Sequence, residues 1–173
     1  MKNVYITRGT SEFMETIKNK HANERMILMH GNGTSQLYHE TEGKTVFTTP
    51  QKYEVVAESG QLHEHGFFAM NNVAVSDEGK PVFENRFKTN VSSMEGTPGF
   101  LAYRLLRPVG SDTYIIMTEW EDVTGFDTWK HTPAFADAYD TERSDSFAGP
   151  AVHIFTSAPY LTVYSSLHNH NEE

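Results

Sequence analysis

The second half of the sequence carries an order of predicted elements that few folds can satisfy. Between residues 66 and 164 the patterns predict strand, helix, strand, strand, helix and strand. GFFAMNNVAV (66–75) alternates with a period of two, and Phe83, Phe87 and Val91 recur at helical spacing. This order is typical of the ferredoxin-like unit.

A hairpin lies at the centre of this half. FLAYRLLRPV (100–109) and TYIIMTEW (113–120) are two apolar strands joined by a Gly-Ser-Asp turn. The last strand is predicted over residues 152–164, with an interruption at Pro159. The short turn between the two central strands is a good hairpin signal.

The stretch TWKHTPAFADAYD (128–140) predicts two helices in succession. Trp129 ends the first helix, and Thr132 followed by Pro133 supplies a cap and a first-turn proline for the second. Tyr139 follows Trp129 by ten residues. From spacing alone, both aromatic residues are predicted to be core side chains.

The first part of the chain predicts a shorter, strand-rich version of the same unit. A strand and a short helix precede a second strand at 26–33. QLYHETEGKTVFTT (36–49), with Glu42-Gly43 in its middle, predicts a hairpin. Residues 52–60 fit either a strand or a short helix.

These patterns predict an α+β fold in three parts. We expect an N-terminal degenerate ferredoxin-like half (1–65), a C-terminal domain (66–165) and a polar tail (166–173). Because no low-complexity linker separates the halves, we expect one compact body.

Composition excludes several classes of protein. The net charge of -9 argues against a nucleic-acid or anionic-membrane partner, since both require a basic surface. The absence of cysteine excludes disulfides, thiolate catalysis and cysteine-ligated metals. No apolar run approaches the roughly 20 residues of a membrane span. We therefore expect a soluble, cytoplasmic protein.

The polar residue that stands out is Asn71. It shares a strand face with the apolar Val73 and Val75, whereas the neighbouring Asn72 points to the other face. A buried amide must be hydrogen-bonded, either to a backbone group at a strand edge or to a ligand.

Two H-x-H pairs offer a weaker signal. His63-Glu64-His65 and His168-Asn169-His170 lie in polar stretches, and no third metal ligand follows either pair at a recognisable spacing. Solvated loops are the preferred interpretation.

Five stretches resemble one family: VYITRGTSEF, HETEGKTVF, NNVAVSDEGKPVFENRFK, PGFLAYRLLRPVGSDTYIIMTEWE and FDTWKHTPAF. They are similar to the Isd-type haem-degrading monooxygenases of the antibiotic biosynthesis monooxygenase-like (ABM) superfamily, in its longer HmoB-like branch. A related signalling factor, TRAP, shares YRLLRP. The resemblance implies a ferredoxin-like ABM fold in which two fused units form a β-barrel with helices outside, within a monomer.

The resemblance also implies a function. Haem would be both cofactor and substrate, and O₂ with an external electron donor would open its ring and release iron. The family's catalytic Asn and Trp fall on Asn71 and Trp129, with Asn72 as a rival by one position. In the family the Asn hydrogen-bonds the reacting oxygen and the Trp buckles the haem. Arg86 and Phe87 match positions near the haem.

The sequence departs from the family at the iron ligand. The family's axial His follows the Trp by ten residues, where this chain has Tyr139. A tyrosinate can ligate ferric haem but disfavours its reduction; His131 is the rival ligand. Three functions stay open: a haem-degrading enzyme, a non-catalytic haem-binding protein, and a non-haem member of the fold, either a cofactor-free oxygenase or a stress or signalling scaffold.

Overall fold

In the computed structural model, the structure describes residues 2–133, 135 and 157–166. Three α-helices occur in this part of the chain: α1 (Ser11–Lys20), α2 (Lys80–Asn90), which continues into a 3₁₀ turn at Val91–Met94, and α3 (Val123–Lys130). The strands are β1 (Asn3–Gly9), β2 (Met26–Gly31), β3 (Thr34–Thr41), β4 (Gln51–Gly60), β5 (Phe67–Ala74), β6 (Phe100–Val109), β7 (Thr113–Trp120) and β8 (Tyr160–Ser165).

The strands form a closed antiparallel barrel in the order β1-β3-β2-β8-β5-β7-β6-β4. This ring contains the same order twice. The N-terminal set runs β4-β1-β3-β2 and the C-terminal set runs β8-β5-β7-β6, which is fourth, first, third, second in each case. The predicted α+β fold, with two ferredoxin-like units closing a barrel, is therefore confirmed. The division of the chain near residue 65, in the loop between β4 and β5, stays our proposal.

Two seams join the sets, and each contains a glycine with no room for a side chain. At the β2–β8 seam the described strands share one residue pair, His30 with Ser165. A Cβ at Gly31 would collide there with the backbone of β8. At the β4–β6 seam, Gly60 has φ +73°, and a Cβ would collide with the carbonyl oxygen of Leu101.

Apolar side chains fill the barrel and also cover its outside. Phe68, Met70 and Met117 belong to the interior cluster. On the outer face of the N-terminal set, Met14 of α1 and Phe47 are buried in one small cluster. Outside the C-terminal set, a larger cluster joins both helices to the sheet: Ala69, Val73, Phe83, Phe87, Tyr114, Ile116, Trp120, Phe126 and Trp129 are among its members. The predicted helices outside the barrel are thus confirmed.

One predicted hairpin is wrong. Residues 36–49 do not form two strands around Glu42-Gly43, because β3 ends at Thr41 and residues 42–50 contain neither strand nor helix. The hairpin partner of β3 is β2, across Asn32 and Gly33, whose φ angles are 56° and 77°. An Asn-Gly pair with two positive φ angles makes the tight turn that matches strand twist. Residues 51–60, left open above, form β4.

Candidate functional site

Asn71 lies in the middle of β5, on the outer face of the barrel. It is paired with Ile116 of β7 on one side and Leu161 of β8 on the other. The side chain is buried, with 8% exposed, and makes no hydrogen bond to any residue that the structure describes. A buried amide on an apolar face without a partner is the kind of group that a ligand satisfies.

Asn72 faces the barrel interior instead. Its Nδ2 donates to the carbonyl oxygens of Met70 and Tyr160 at 3.1 and 3.2 Å, and to the Thr162 hydroxyl at 3.2 Å. This amide therefore has a structural role between β5 and β8. The predicted facing of the two asparagines agrees with the structure.

Beside Asn71, the outer face of β8 leaves apolar side chains open. Leu161 is 37% exposed and Val163 is 38% exposed, and these residues pair with Asn71 and Ala69. Together with Asn71 they form the β5–β8 outer face. This face combines apolar surface with one amide that has no hydrogen-bond partner among residues 2–133, 135 and 157–166.

Trp129, on helix α3, belongs to the large apolar cluster outside the C-terminal set. The helix begins at Asp122, whose carboxylate accepts the backbone N–H groups of Thr124 and Gly125. The Trp129 ring lies 5.4 Å from Trp120 and 4.9 Å from Phe135, edge-on to the latter. Trp129 is thus held rigidly in a buried aromatic cluster, as its helical spacing predicted.

The two predicted haem contacts on α2 differ in their surroundings. Phe87 is 2% exposed and its ring lies 4.8 Å from Phe83, so it belongs to the core of the outer cluster. Arg86 is half-buried. The predicted roles of both residues toward a ligand stay predictions.

Of the two candidate iron ligands, His131 lies within the described residues. His131 is exposed at the C-terminal end of α3, and its Nδ1 lies 2.7 Å from the carbonyl oxygen of Asp127. The Thr132 hydroxyl accepts the N–H of Phe135 at 3.3 Å, in agreement with the predicted cap. Tyr139 lies outside the described residues.

The first H-x-H pair anchors a loop. The N–H of His63 donates to Glu119 at 2.8 Å, and Nδ1 of His65 lies 2.8 Å from the carbonyl oxygen of Ser166. Within the described ranges, no group of three or more His, Cys, Asp or Glu side chains could hold a metal ion. The second pair, His168 and His170, lies beyond those ranges.

Sequence reasoning missed two buried polar groups. Glu84 of α2 accepts hydrogen bonds from Tyr114 and from two nitrogens of Arg107, at 2.7 and 2.6 Å for the arginine. Glu119 is fully buried inside the end of the barrel, and burial raises its pKa to about 8, although the His63 N–H and the Arg104 charge oppose the shift. No local pattern signals either group, since their partners come from distant strands.

Comparison with known proteins points to the same fold and family as the geometry. Residues 66–141, in the C-terminal part of the chain, match the family described as antibiotic biosynthesis monooxygenase. Most of the chain is similar to the signal transduction protein TRAP of Staphylococcus aureus (strain MSSA476). The two are 28% identical over 149 residues, which cover 86% of this chain and 89% of TRAP.

Solved structures give the same fold. A structure described as a major regulator of staphylococcal pathogenesis has a TM-score of 0.85 and 25% identity, covering 96% of this chain and 100% of that one. A heme-degrading enzyme from Listeria monocytogenes has a TM-score of 0.73 and 19% identity, covering 94% and 98%. No helix in the described part of this chain is long and apolar enough to cross a membrane.

Proposed function

We propose that this protein is a haem-degrading monooxygenase that holds haem against the β5–β8 outer face. The proposal rests on Asn71, a buried amide with no hydrogen bond among the described residues. Leaving such an amide unpaired costs on the order of 1–3 kcal/mol, a cost that natural proteins accept at functional sites. The heme-degrading enzyme from Listeria has the same fold, which makes haem a reasonable candidate ligand.

The residues present suit a porphyrin. Leu161 and Val163 offer exposed apolar surface for a flat apolar ring. Arg86 is half-buried on α2 and could pair with a carboxylate of the ligand. We propose Tyr139 as the iron ligand, with His131 as the rival. Haem, when bound, would supply both the iron that activates O₂ and the ring that is opened.

In this proposal the protein positions the reactants. Asn71 would orient the reacting O₂ by a hydrogen bond from its amide. Trp129, fixed by Trp120 and Phe135, would act as a rigid wall that excludes water and presses on the ring. Electrons would come from an external donor. A cytoplasmic location fits this role and stays part of the proposal.

A second candidate function is a haem-binding or signalling scaffold without turnover. The staphylococcal relatives that match most of this chain are named signal transduction protein TRAP. A tyrosine at the position of the family's axial histidine also favours this alternative, because a tyrosinate stabilises ferric iron.

Titration of the purified protein with haemin, followed by ascorbate under air with catalase present, separates these functions. Saturable growth of a Soret band and its later decay with iron release would support the monooxygenase. Binding without decay would favour the scaffold, and absence of binding would refute the haem site.

Asn71→Ala should slow the decay of the Soret band at least about tenfold while keeping the fold. Tyr139→Phe and His131→Ala, compared by their ferric spectra, identify the iron ligand.

A further inference from the structure

A pocket lies on the C-terminal set and is lined by neither Asn71 nor Trp129. It has a volume of about 520 Å³ and sits where the N-terminal turns of α2 meet the far end of the β6–β7 hairpin. Its lining includes Lys80, Glu84, Asn85, Lys88, Arg107 and Tyr114.

The pocket wall is a preformed polar network. Arg107 donates a hydrogen bond to each carboxylate oxygen of Glu84, and the Tyr114 hydroxyl donates to the same carboxylate. Tyr114 is fully buried and Glu84 is 9% exposed. Burial alone would raise the pKa of Glu84, but the hydrogen bonds from Arg107 and Tyr114 outweigh it and the pKa is lowered. This carboxylate is already saturated with donors and has little capacity to bind a cation.

The side chains that line the pocket include more cations than carboxylates. Three cationic side chains, Lys80, Lys88 and Arg107, line it against the single carboxylate of Glu84. Glu54, from outside the lining, takes one more N–H of Arg107 at 3.1 Å. A guanidinium has five N–H groups, and the hydrogen bonds to Glu84 and Glu54 use three of them. The excess holds for the lining residues alone, within a chain whose net charge is -9.

The N-terminal end of α2 also favours an anion in this pocket. Gly79 caps α2 without a side-chain acceptor, and the first turn contains no acidic residue. The partial positive charge at this end is therefore not offset by a side chain of the helix. Lys80 does pair with Asp77 at 3.1 Å, but that aspartate is 96% exposed and the pair is weak.

We propose that this pocket binds a small oxyanion, the phosphate or carboxylate group of a metabolite, through Lys80, Lys88 and Arg107. A pocket in the equivalent place of the N-terminal set supplies an internal comparison. It measures about 630 Å³ at the start of α1, and glycines and hydroxyl residues line it: Gly9, Thr10, Ser11, Gly31, Gly33, Thr34 and Ser35. Without cationic lining, that pocket should not show the same affinity.

The test is a titration of the full chain with inorganic phosphate and, separately, with succinate, at constant ionic strength in chloride. Backbone amide NMR shifts at residues 79–88 should saturate with at least one anion, and the preferred anion identifies the group. The double variant Lys80→Gln/Lys88→Gln should weaken this binding at least about tenfold, whereas Lys20→Gln/Lys44→Gln should not. Non-saturating shifts, or equal affinity in both double variants, would overturn the proposal. Haem plays no part in this test, so its outcome is independent of the proposed function.

Discussion

Burial raises the pKa of the Glu119 carboxyl far above its ordinary value. Its Oε1 accepts the His63 N–H at 2.8 Å, while its Oε2 has no hydrogen-bond partner among the described residues and packs against Gly66. The facing charged groups are Arg104, which is shared with Glu40, and His63. Ionising this carboxyl in the folded state is therefore unfavourable.

The raised pKa has a defined consequence for stability. The folded pKa of Glu119 is about 8, above the unfolded value of 4.5, so the folded state binds the proton more tightly between these values. The contribution of Glu119 to the free energy of unfolding is fully present below pH 4.5. As the pH rises from there toward 8, this contribution is lost by up to about 1.4 kcal/mol per pH unit. Glu119→Gln should remove this dependence and be more stable than the wild type at pH 8.

Urea denaturation at pH 5.5, 7 and 8.5 measures the effect, with Glu121→Gln as the exposed control on the same strand end. If the free energy of unfolding of Glu119→Gln fell with pH as steeply as that of the wild type, the buried carboxyl would have to be ionised already at pH 5.5.

Asn71 should show a conflict between stability and function. Because its amide is buried and has no hydrogen-bond partner in the described part of the chain, Asn71→Leu should raise the free energy of unfolding by about 1 kcal/mol. Asn72→Leu is the matched control and should lower that free energy by about 1–3 kcal/mol, since three acceptors lose their donor. Denaturant unfolding of both variants tests the pair; equal losses would mean that Asn71 is a structural amide.

At the level of elements, the two seams depend on close backbone approach. Gly60→Ala should cost more than about 3 kcal/mol, because a positive φ and a collision with the Leu101 carbonyl act together. Gly33 has a similar φ of +77° but open space around it, so Gly33→Ala should cost only about 1–2 kcal/mol.

Thermal and denaturant unfolding of these two variants separate the cost of a positive φ, which both share, from the cost of the collision with the Leu101 carbonyl, which only Gly60→Ala has. Similar losses for Gly60→Ala and Gly33→Ala would show that the β4–β6 seam relaxes around a methyl group.

The elements that the sequence predicted well have strong local patterns. The period of two in β5 and the apolar strands β6 and β7 indicated the sheet, and the Phe83–Phe87 spacing indicated the buried side of α2. The error at residues 36–49 arose because Glu42-Gly43 was preferred as a turn over Asn32-Gly33, which makes the actual hairpin. Glu84 and Glu119 escaped prediction because their environments depend on pairing between distant strands, which periodicity does not encode.

For the whole molecule, the closed ring predicts the state of association. All eight strand-to-strand contacts, including the closure between β1 and β4, are made within one chain. No described barrel strand therefore requires a second chain, and we expect a monomer. Sedimentation equilibrium should give a mass near 19.6 kDa over a wide concentration range; a mass of twice that value at low concentration would contradict this expectation.

The repeated strand order does not extend to the surfaces outside it. In the N-terminal set, residues 42–50 join β3 to β4 without a helix, and Phe47 from this segment packs beside His39, with ring centres 5.5 Å apart. Phe47 thus covers part of the sheet surface on which α3 lies in the C-terminal set. Since the N-terminal set has no counterpart of α3 between β3 and β4, we expect the proposed haem site once per chain, and a haem isotherm should saturate at a single equivalent.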